Sequence, residues 1–219
     1  MDPCCEPGDS SRYEAIFDTE FAESVARDYR RRGLPRLERR ILAFADHVGV
    51  QDASVLEIGG GVGELQLELL ERGAAHSVNL ELSGEYERIA QRLLSEHGLE
   101  RRATRHVGLD LAEHPDVVAP ADLVVLNRVV CCYPHAVRLL TAAADRATRA
   151  LVFTHPPRTP FTRVRTGVKN ALRRRSGQSF RGYVHRPDLM VEAVRACGFE
   201  VPLRSRGFRW WLVGAIRPA

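Results

Sequence analysis

Apolar residues recur at helical spacing in the first 50 residues of the chain. Four of them follow one another at four-residue intervals: Phe17, Phe21, Val25 and Tyr29. After a Gly-Leu-Pro break at residues 33–35, a second helical group continues to about residue 50. Spacing of three to four residues is typical of amphipathic helices. Residues 1–50 therefore predict a tail and then helices that cover a core built by the rest of the chain.

From residue 51 to residue 155, short apolar runs alternate with helical patterns. Five runs have the length and the branched residues of β-strands: ASVLEI from Ala53, HSVNLEL from His76, RATRHVGLD from Arg102, ADLVVLNRVV from Ala121 and RALVFTH from Arg149. Ser83, after the second run, is expected to cap the helix that follows. Strands alternating with helices predict a doubly wound, mostly parallel sheet.

This alternation ends at His155. Residues 156–186 contain prolines, a short amphipathic stretch and a basic cluster, which predicts an insertion over the sheet rather than another domain. In residues 187–219 a helix is followed by two more strand-like runs, FEVPLRSRG and RWWLVGAI, which predict an antiparallel hairpin at the sheet edge. The expected fold is a single α/β domain over residues 1–219, with a doubly wound, mostly parallel sheet of seven strands and N-terminal cover helices.

The composition narrows the class of protein. Hydrophobic residues make up 44% of the chain and charged residues 27%, which is ordinary for a globular domain. A net charge of +4 is too small to indicate a nucleic-acid partner by itself. No secretory signal begins the sequence, and no apolar run approaches the roughly 20 residues that cross a bilayer. We therefore expect a cytoplasmic protein without a membrane span or a nucleic-acid partner.

Four of the five cysteines form two adjacent pairs, Cys4–Cys5 and Cys131–Cys132. Neighbouring cysteines form a disulfide only with strain, and they bind one zinc ion poorly, because structural zinc sites favour cysteines separated by two to four residues. Three interpretations remain: a soft-metal site that joins both pairs, reactive thiols in a pocket, and plain packing. Packing is favoured, and no metal site is predicted.

The segment LEIGGGVGE, which begins at Leu56, follows the first predicted strand. Its glycines, at positions 59, 60, 61 and 63, allow a tight turn and let a ligand approach the main-chain N–H groups at the start of the next helix. Dinucleotide dehydrogenases place a similar loop here, so the loop alone is weak evidence. Glu81 ends the second predicted strand, where a carboxylate can accept both hydroxyls of a ribose, and Asp110 ends the third, beside the expected place of an adenine.

At these residues the sequence resembles the class I S-adenosylmethionine-dependent methyltransferases. The family motif, acidic-x-Gly-x-Gly-x-Gly, is matched by Glu57 with glycines 59, 61 and 63, and the resemblance covers roughly residues 40–155. It implies a Rossmann-like fold and S-adenosylmethionine as the cofactor, with the methionine part on the glycine loop, the ribose at Glu81 and the adenine at Asp110. The cofactor-binding residues that it implies are Glu57, Gly59, Gly60, Gly61, Gly63, Glu81, Leu82, Asp110, Leu111, Asn127 and Arg128.

A narrower resemblance follows the fourth predicted strand. LNRVVCCYP is similar to a segment of the ubiquinone-pathway and magnesium-protoporphyrin O-methyltransferases, in which an acidic residue, two apolar residues and a histidine precede the proline. Here Arg128 stands at the acidic position and Cys132 at the histidine position. "PPRTP" and "RGYVH" in the insertion also resemble the protoporphyrin enzymes. These departures leave the implied methyl transfer intact and leave the acceptor open.

Methyl transfer from a sulfonium requires alignment of donor and acceptor, and a base only if the acceptor must lose a proton. Candidates follow the fourth and fifth strands or precede the last helix. His155 is the first candidate for acid–base work and His185 the second, although either side chain could serve packing instead. Tyr133 and Cys132 are expected to line the acceptor pocket.

The leading hypothesis is methylation of a small-molecule acceptor, at oxygen, with residues 156–186 as a lid. The first alternative is a nucleic-acid methyltransferase. The modest charge and the lack of an Asn-Pro-Pro-aromatic motif after the fourth strand argue against it. The second alternative is a cofactor-binding protein that has lost catalysis.

Overall fold

A seven-stranded sheet forms the centre of the computed structural model, which describes residues 11–218. The strands are β1 (Ser54–Ile58), β2 (His76–Glu81), β3 (Ala103–Val107), β4 (Ala121–Leu126), β5 (Ala147–His155), β6 (Glu200–Arg206) and β7 (Trp211–Ile216). The helices are α1 (Ser11–Glu14), α2 (Thr19–Arg32), α3 (Arg36–Val48), α4 (Glu64–Glu71), α5 (Glu87–Glu96), α6 (Ala136–Arg146), α7 (Pro160–Arg175) and α8 (Pro187–Ala196).

The strand order is β3-β2-β1-β4-β5-β7-β6. Strands β1 to β5 pair in parallel, and β7 is antiparallel to both of its neighbours, β5 and β6. The carboxyl ends of β1 to β5 therefore meet at one edge of the sheet. This arrangement confirms the predicted doubly wound sheet with a C-terminal hairpin.

Both faces of the sheet are buried, as parallel sheets require. Alternate side chains of β4 point to opposite faces: Val124 packs in a core with α6 and α8, whereas Val125 packs in a core with α2 to α5. The predicted N-terminal cover helices belong to the second core. Helix α2 begins after Asp18, whose side chain accepts a hydrogen bond from the Phe21 N–H (2.8 Å).

Two local details differ from the predictions. The fourth predicted strand continues to Val130, but β4 ends at Leu126 because Arg128 has a left-handed backbone, with φ of 61°. Ser83 does not cap a helix: its hydroxyl donates to the Phe17 carbonyl (3.1 Å), and a 3-10 turn (Gly84–Tyr86) follows it.

The insertion forms a longer helix than predicted, since α7 has 16 residues. Thr159 caps its first turn by accepting a hydrogen bond from the Thr162 N–H (3.1 Å). Residues 178–186, the strap, then return to the sheet and dock on the loop after β4, where the Tyr183 N–H donates to the Cys131 carbonyl (2.7 Å). Within residues 11–218, no helix is long and apolar enough to cross a membrane.

Candidate functional site

A cavity opens at the carboxyl ends of β1, β2 and β4. Its volume is about 210 Å³, whereas a single buried water needs only about 10–15 Å³, so the cavity can hold a ligand of many atoms. Its floor is formed by the glycine loop and the residues that end the strands. Its roof is formed by side chains of the N-terminal helical segment: Tyr13, Phe17, Phe21 and Val25.

At two glycines of the floor, Gly59 and Gly60, other side chains occupy the space that a Cβ would need. At Gly59, which has φ of 65°, a Cβ would lie 2.6 Å from a methyl group of Val129. At Gly60 it would lie 2.0 Å from the Asn79 amide nitrogen and 2.6 Å from the Glu57 carboxylate. The loop can therefore press its backbone against the ends of β1 and β2, which leaves the cavity side open.

Glu57 is buried beneath this loop. The Asn79 amide donates a hydrogen bond to its carboxylate (3.0 Å). Burial, with the Glu64 carboxylate nearby, raises the pKa of Glu57 to about 8. Glu64 also lines the cavity, and burial and the nearby Glu38 raise its pKa to about 7. A positively charged ligand would stabilise the ionised form of both carboxylates and lower their pKa values.

Glu81 presents its carboxylate to the cavity from the end of β2. One oxygen accepts the Gly61 N–H (2.9 Å) and the other accepts the Ser83 N–H (3.0 Å). Burial raises the pKa of Glu81, and these two N–H groups oppose that rise. Each oxygen keeps a further lone pair, so the carboxylate can still accept the two hydroxyls of a ribose.

Asp110 was expected to end the third strand, but β3 ends at Val107, and Asp110 lies buried in the loop that follows. Its carboxylate accepts the Ala112 N–H (2.9 Å) and the Tyr133 hydroxyl (2.9 Å). Burial, with Asp110 beside it, raises the pKa of Tyr133 above its ordinary value. Leu111 and Leu82 add apolar walls near Asp110 and Glu81.

A polar network fixes the backbone at the end of β4. The Thr154 hydroxyl accepts the Arg128 N–H (2.7 Å) and donates to the Asn127 side-chain oxygen (3.0 Å). The buried Glu38, on α3, accepts hydrogen bonds from the Asn127 amide (3.1 Å) and the Arg128 guanidinium (2.6 Å). The guanidinium also lies over the Trp210 ring, 5.5 Å from its centre. Asn127 and Arg128 line the cavity, but the Arg128 charge is paired.

Cys132 and Tyr133 bring the loop after β4 to the cavity. The sulfurs of Cys131 and Cys132 are 3.7 Å apart, and both contact the Arg128 carbonyl. The interaction with Cys132 lowers the pKa of Cys131, and the same interaction raises that of Cys132. Cys4 and Cys5 lie outside the described residues. In the part of the chain that the structure describes, no three His, Cys, Asp or Glu side chains are grouped to hold a metal ion.

The two histidines predicted for acid–base work do not line the cavity among the described residues. His155 points to the same sheet face as Phe153, and its ring packs edge-on against Trp211 (5.7 Å between centres). His185, on the strap, has Nε2 2.9 Å from the Tyr133 carbonyl. Burial lowers the pKa of both histidines. The acid–base role of the two histidines stays a prediction; in this structure the His155 ring packs against Trp211, and His185 contacts the loop after β4.

The sequence indicated the roof only in part. Phe17 and Phe21 stood out by their spacing, but they were expected to cover the core, not to line a cavity. Phe180 of the strap packs edge-on against Phe17, with ring centres 5.5 Å apart. Nothing in the local sequence predicts this contact. The contact between Glu38 and Asn127 is also unpredicted, because Glu38 lies far from β4 in sequence.

Arg105, on β3, is a further residue that the sequence did not single out. Its guanidinium donates to the Gly61 carbonyl (2.7 Å) and pairs with Glu87 (2.9 Å). Because its side chain is buried, this contact supports the glycine loop from behind.

No protein-family model matches the chain, and no curated protein matches it either. Solved structures do match. Magnesium protoporphyrin IX methyltransferase from Synechocystis PCC 6803, solved with bound SAH, aligns over 95% of this chain and 94% of its own, with 19% identity and a TM-score of 0.69. The chain has the fold of S-adenosylmethionine-dependent methyltransferases.

Two further structures show how far this fold reaches. An O-methyltransferase family protein from Burkholderia thailandensis aligns over 93% of this chain and 64% of its own, at 21% identity and a TM-score of 0.67. The [4+2]-cyclase SpnF aligns over 83% of this chain and 81% of its own, at 15% identity and a TM-score of 0.64. Because one of these proteins is named a cyclase, the fold alone does not settle the reaction.

Proposed function

We propose that the chain is an S-adenosylmethionine-dependent methyltransferase that methylates a small molecule at oxygen. The observation that carries the proposal is the charge of the cavity. Four acidic residues line it, Glu57, Glu64, Glu81 and Asp110, and the one basic residue among the described lining residues, Arg128, is paired with Glu38. Such a lining disfavours the diphosphate of a dinucleotide and favours a cationic ligand that carries a ribose.

S-adenosylmethionine has these properties, and when bound it supplies an activated methyl group. In the proposed arrangement the glycine loop (residues 59–61 and 63), with Glu57 beneath it, holds the methionine part, and Asn127 and Arg128 lie beside it. Glu81 and Leu82 hold the ribose. Asp110 and Leu111 hold the adenine. The bound SAH in a solved structure of the same fold supports this assignment.

The acceptor would enter between the roof and the loop that carries Cys132 and Tyr133. Tyr133 is poorly suited to act as a base, because its hydroxyl already donates to Asp110 and its pKa is raised. With His155 and His185 away from the cavity, we propose that catalysis rests on alignment. The acceptor oxygen would then be one that ionises readily in water, such as a carboxylate or an acidic phenol. The small-molecule substrate in the name of the Synechocystis protein agrees with this class.

The first test is ligand binding by isothermal titration calorimetry. We expect the chain to bind S-adenosylmethionine and SAH but not NADH. Glu81→Gln should weaken S-adenosylmethionine binding by roughly tenfold or more, because an amide nitrogen would face a backbone N–H. The matched control is Glu96→Gln, an exposed carboxylate paired with Arg30, which should bind as the wild type does. Failure of the wild-type chain to bind S-adenosylmethionine would contradict the proposal.

The second test is transfer of a labelled methyl group. The chain is incubated with methyl-labelled cofactor and with fractionated cell extract, and label is expected in the small-molecule fraction. Label in nucleic acid would instead support the alternative of nucleic-acid methylation.

The absence of a histidine from the described cavity lining also favours a second candidate, a cofactor-binding protein without transferase activity. Cofactor binding without transfer to any fraction would support that candidate over the enzyme.

A further inference from the structure

Helix α7 packs against the rest of the chain through a polar face. Its four partly buried residues recur at helical spacing: Thr162, Thr166, Asn170 and Arg173. The Asn170 side chain both donates to the Gly182 carbonyl (2.8 Å) and accepts the Gly182 N–H (2.9 Å). The Arg173 guanidinium lies over the Phe180 ring, 4.8 Å from its centre. Polar contacts with the strap therefore fix which side of α7 faces inward.

The apolar face of α7 consequently points into solvent. Four large apolar side chains form a stripe along it, with these exposed fractions: Phe161 72%, Val164 67%, Val168 55% and Leu172 57%. No residue of α7 is fully buried. A surface helix of a globular protein normally turns its apolar stripe to the core, whereas α7 turns its apolar stripe to solvent.

The charge of α7 is entirely positive. The helix carries six basic residues and no acidic residue: Arg163, Arg165, Lys169, Arg173, Arg174 and Arg175. On a helical projection Arg165 and Lys169 lie along one side of the apolar stripe. Long basic side chains in this position can reach past an apolar layer to negative groups.

The hairpin tip between β6 and β7 adds a second apolar group near the same edge of the sheet. Phe208 at this tip is 92% exposed and is followed by Arg209. Trp211, which begins β7, pairs with His155, the last residue of β5, and α7 begins shortly after that residue. The tip and the start of α7 therefore emerge from the same end of the central strands.

We propose that the apolar stripe of α7 is a docking surface for an anionic lipid membrane, on which the helix lies parallel to the bilayer. An exposed apolar stripe on a helix with six basic residues and no acidic residue matches the acyl and anionic headgroup layers of such a surface. A nucleic acid would satisfy the basic residues but would leave the stripe in water. This inference is independent of the proposed methyl transfer, because vesicle binding does not require the cofactor.

The test is flotation of the full chain with two kinds of vesicle: phosphatidylcholine alone, and equal parts of phosphatidylcholine and phosphatidylglycerol. We expect the protein to float with the anionic vesicles and to remain largely unbound with the neutral ones. Arg165→Gln combined with Lys169→Gln should weaken anionic binding by roughly tenfold or more, since each basic residue near the surface contributes. The matched control combines Arg31→Gln and Arg101→Gln, which are exposed elsewhere and should leave binding unchanged.

The apolar contribution is tested separately. Val168→Gln combined with Leu172→Gln should also weaken binding to anionic vesicles, whereas Val117→Gln combined with Val137→Gln, exposed valines outside α7, should not. Circular dichroism and the thermal midpoint verify that each variant is folded. The proposal is overturned if the wild type does not bind anionic vesicles, or if the α7 variants and their controls bind alike. Dimerisation abolished by the Val168 and Leu172 pair, without vesicle binding, would assign the stripe to a second copy and overturn it as well.

Discussion

The floor and the roof of the cavity are built in different ways. Every floor group lies at the end of a strand or within the loop that follows, and hydrogen bonds to backbone or buried side chains, or close packing, fix its position. The roof consists of apolar side chains of the N-terminal segment, one of which, Phe17, packs edge-on against Phe180 of the strap, a segment distant in sequence. A rigid floor suits a ligand that is always the same, and a roof of rings can adapt to different acceptors.

Gly60→Ala should disturb the floor of the cavity most. The new methyl group would overlap the Asn79–Glu57 pair, so the loop must shift or the buried hydrogen bond must break. Overpacking of this kind costs about 1–3 kcal/mol, which corresponds to a loss of cofactor affinity of up to roughly a hundredfold. Calorimetry and urea unfolding measure both effects. Gly167→Ala, where a Cβ meets no atom within 4 Å, is the control and should retain full affinity.

An effect of similar size, on stability, is expected where side chains fix the floor from below. Thr154→Val preserves shape but removes the acceptor of the Arg128 N–H and the donor to Asn127. An unsatisfied buried group costs about 1–3 kcal/mol, so the free energy of unfolding should fall by that amount. Thr148 lies at the other end of β5, and its hydroxyl donates to the Ala121 carbonyl of β4. Thr148→Val should lower the free energy of unfolding less. Equal losses in the two variants would argue that the network has no special role.

The acidic lining predicts a pH dependence. Burial keeps Glu57 and Glu64 protonated above their ordinary pKa of 4.5, so the folded chain holds more protons than the unfolded chain up to pH about 7 for Glu64 and about 8 for Glu57. The stability of the ligand-free chain therefore falls as pH rises through this window. Affinity for a cationic ligand rises over the same window, because the carboxylates ionise.

Glu64→Gln should remove part of both trends and weaken cofactor binding at the upper end of the window by up to roughly fivefold. Calorimetry and urea unfolding across a series of pH values measure the two slopes. Glu192→Gln, an exposed carboxylate on α8 away from the cavity, is the matched control. An identical pH profile for Glu64→Gln and the wild type would show that the profile comes from other groups.

Changes in the roof should alter cofactor affinity least. Phe17→Ala removes a ring that lines the cavity and contacts Phe180, but it leaves all floor hydrogen bonds in place. We expect cofactor affinity to change by less than roughly threefold. KM for the acceptor should rise by more than about threefold, because the proposed acceptor site lies beneath the ring and would lose its packing contacts. Phe208→Ala, at the exposed hairpin tip, should alter neither. A loss of cofactor affinity as large as that of Gly60→Ala would abolish the distinction between floor and roof.

The sequence predicted the floor because its parts are local. A glycine loop and an acidic residue each follow directly from a strand that can be recognised by its apolar run, and parallel strands bring their ends together. The face to which a side chain points required the register: His155 ends β5 as expected, but it follows Phe153 onto the sheet face and away from the cavity.

Contacts between distant segments could not be predicted in this way. Glu38 reaches Asn127 only because α3 packs across β4. The polar face of α7 turns inward because of the strap, which its own hydrophobic pattern would not suggest. The left-handed backbone of Arg128 ends β4 early. Arginine rarely adopts this backbone, so the sequence could not indicate it.

Tyr133 connects the cavity floor to the strap through its hydroxyl and its carbonyl. Its hydroxyl is bonded to Asp110 on the floor, and its carbonyl is bonded to His185 on the strap. A ligand at Asp110 that shifts the Tyr133 backbone changes the free energy of the second bond as well, and thermodynamic linkage makes that coupling equal in the reverse direction. We therefore expect binding beside Asp110 to change the protection of the strap amides, which hydrogen exchange with and without S-adenosylmethionine would measure.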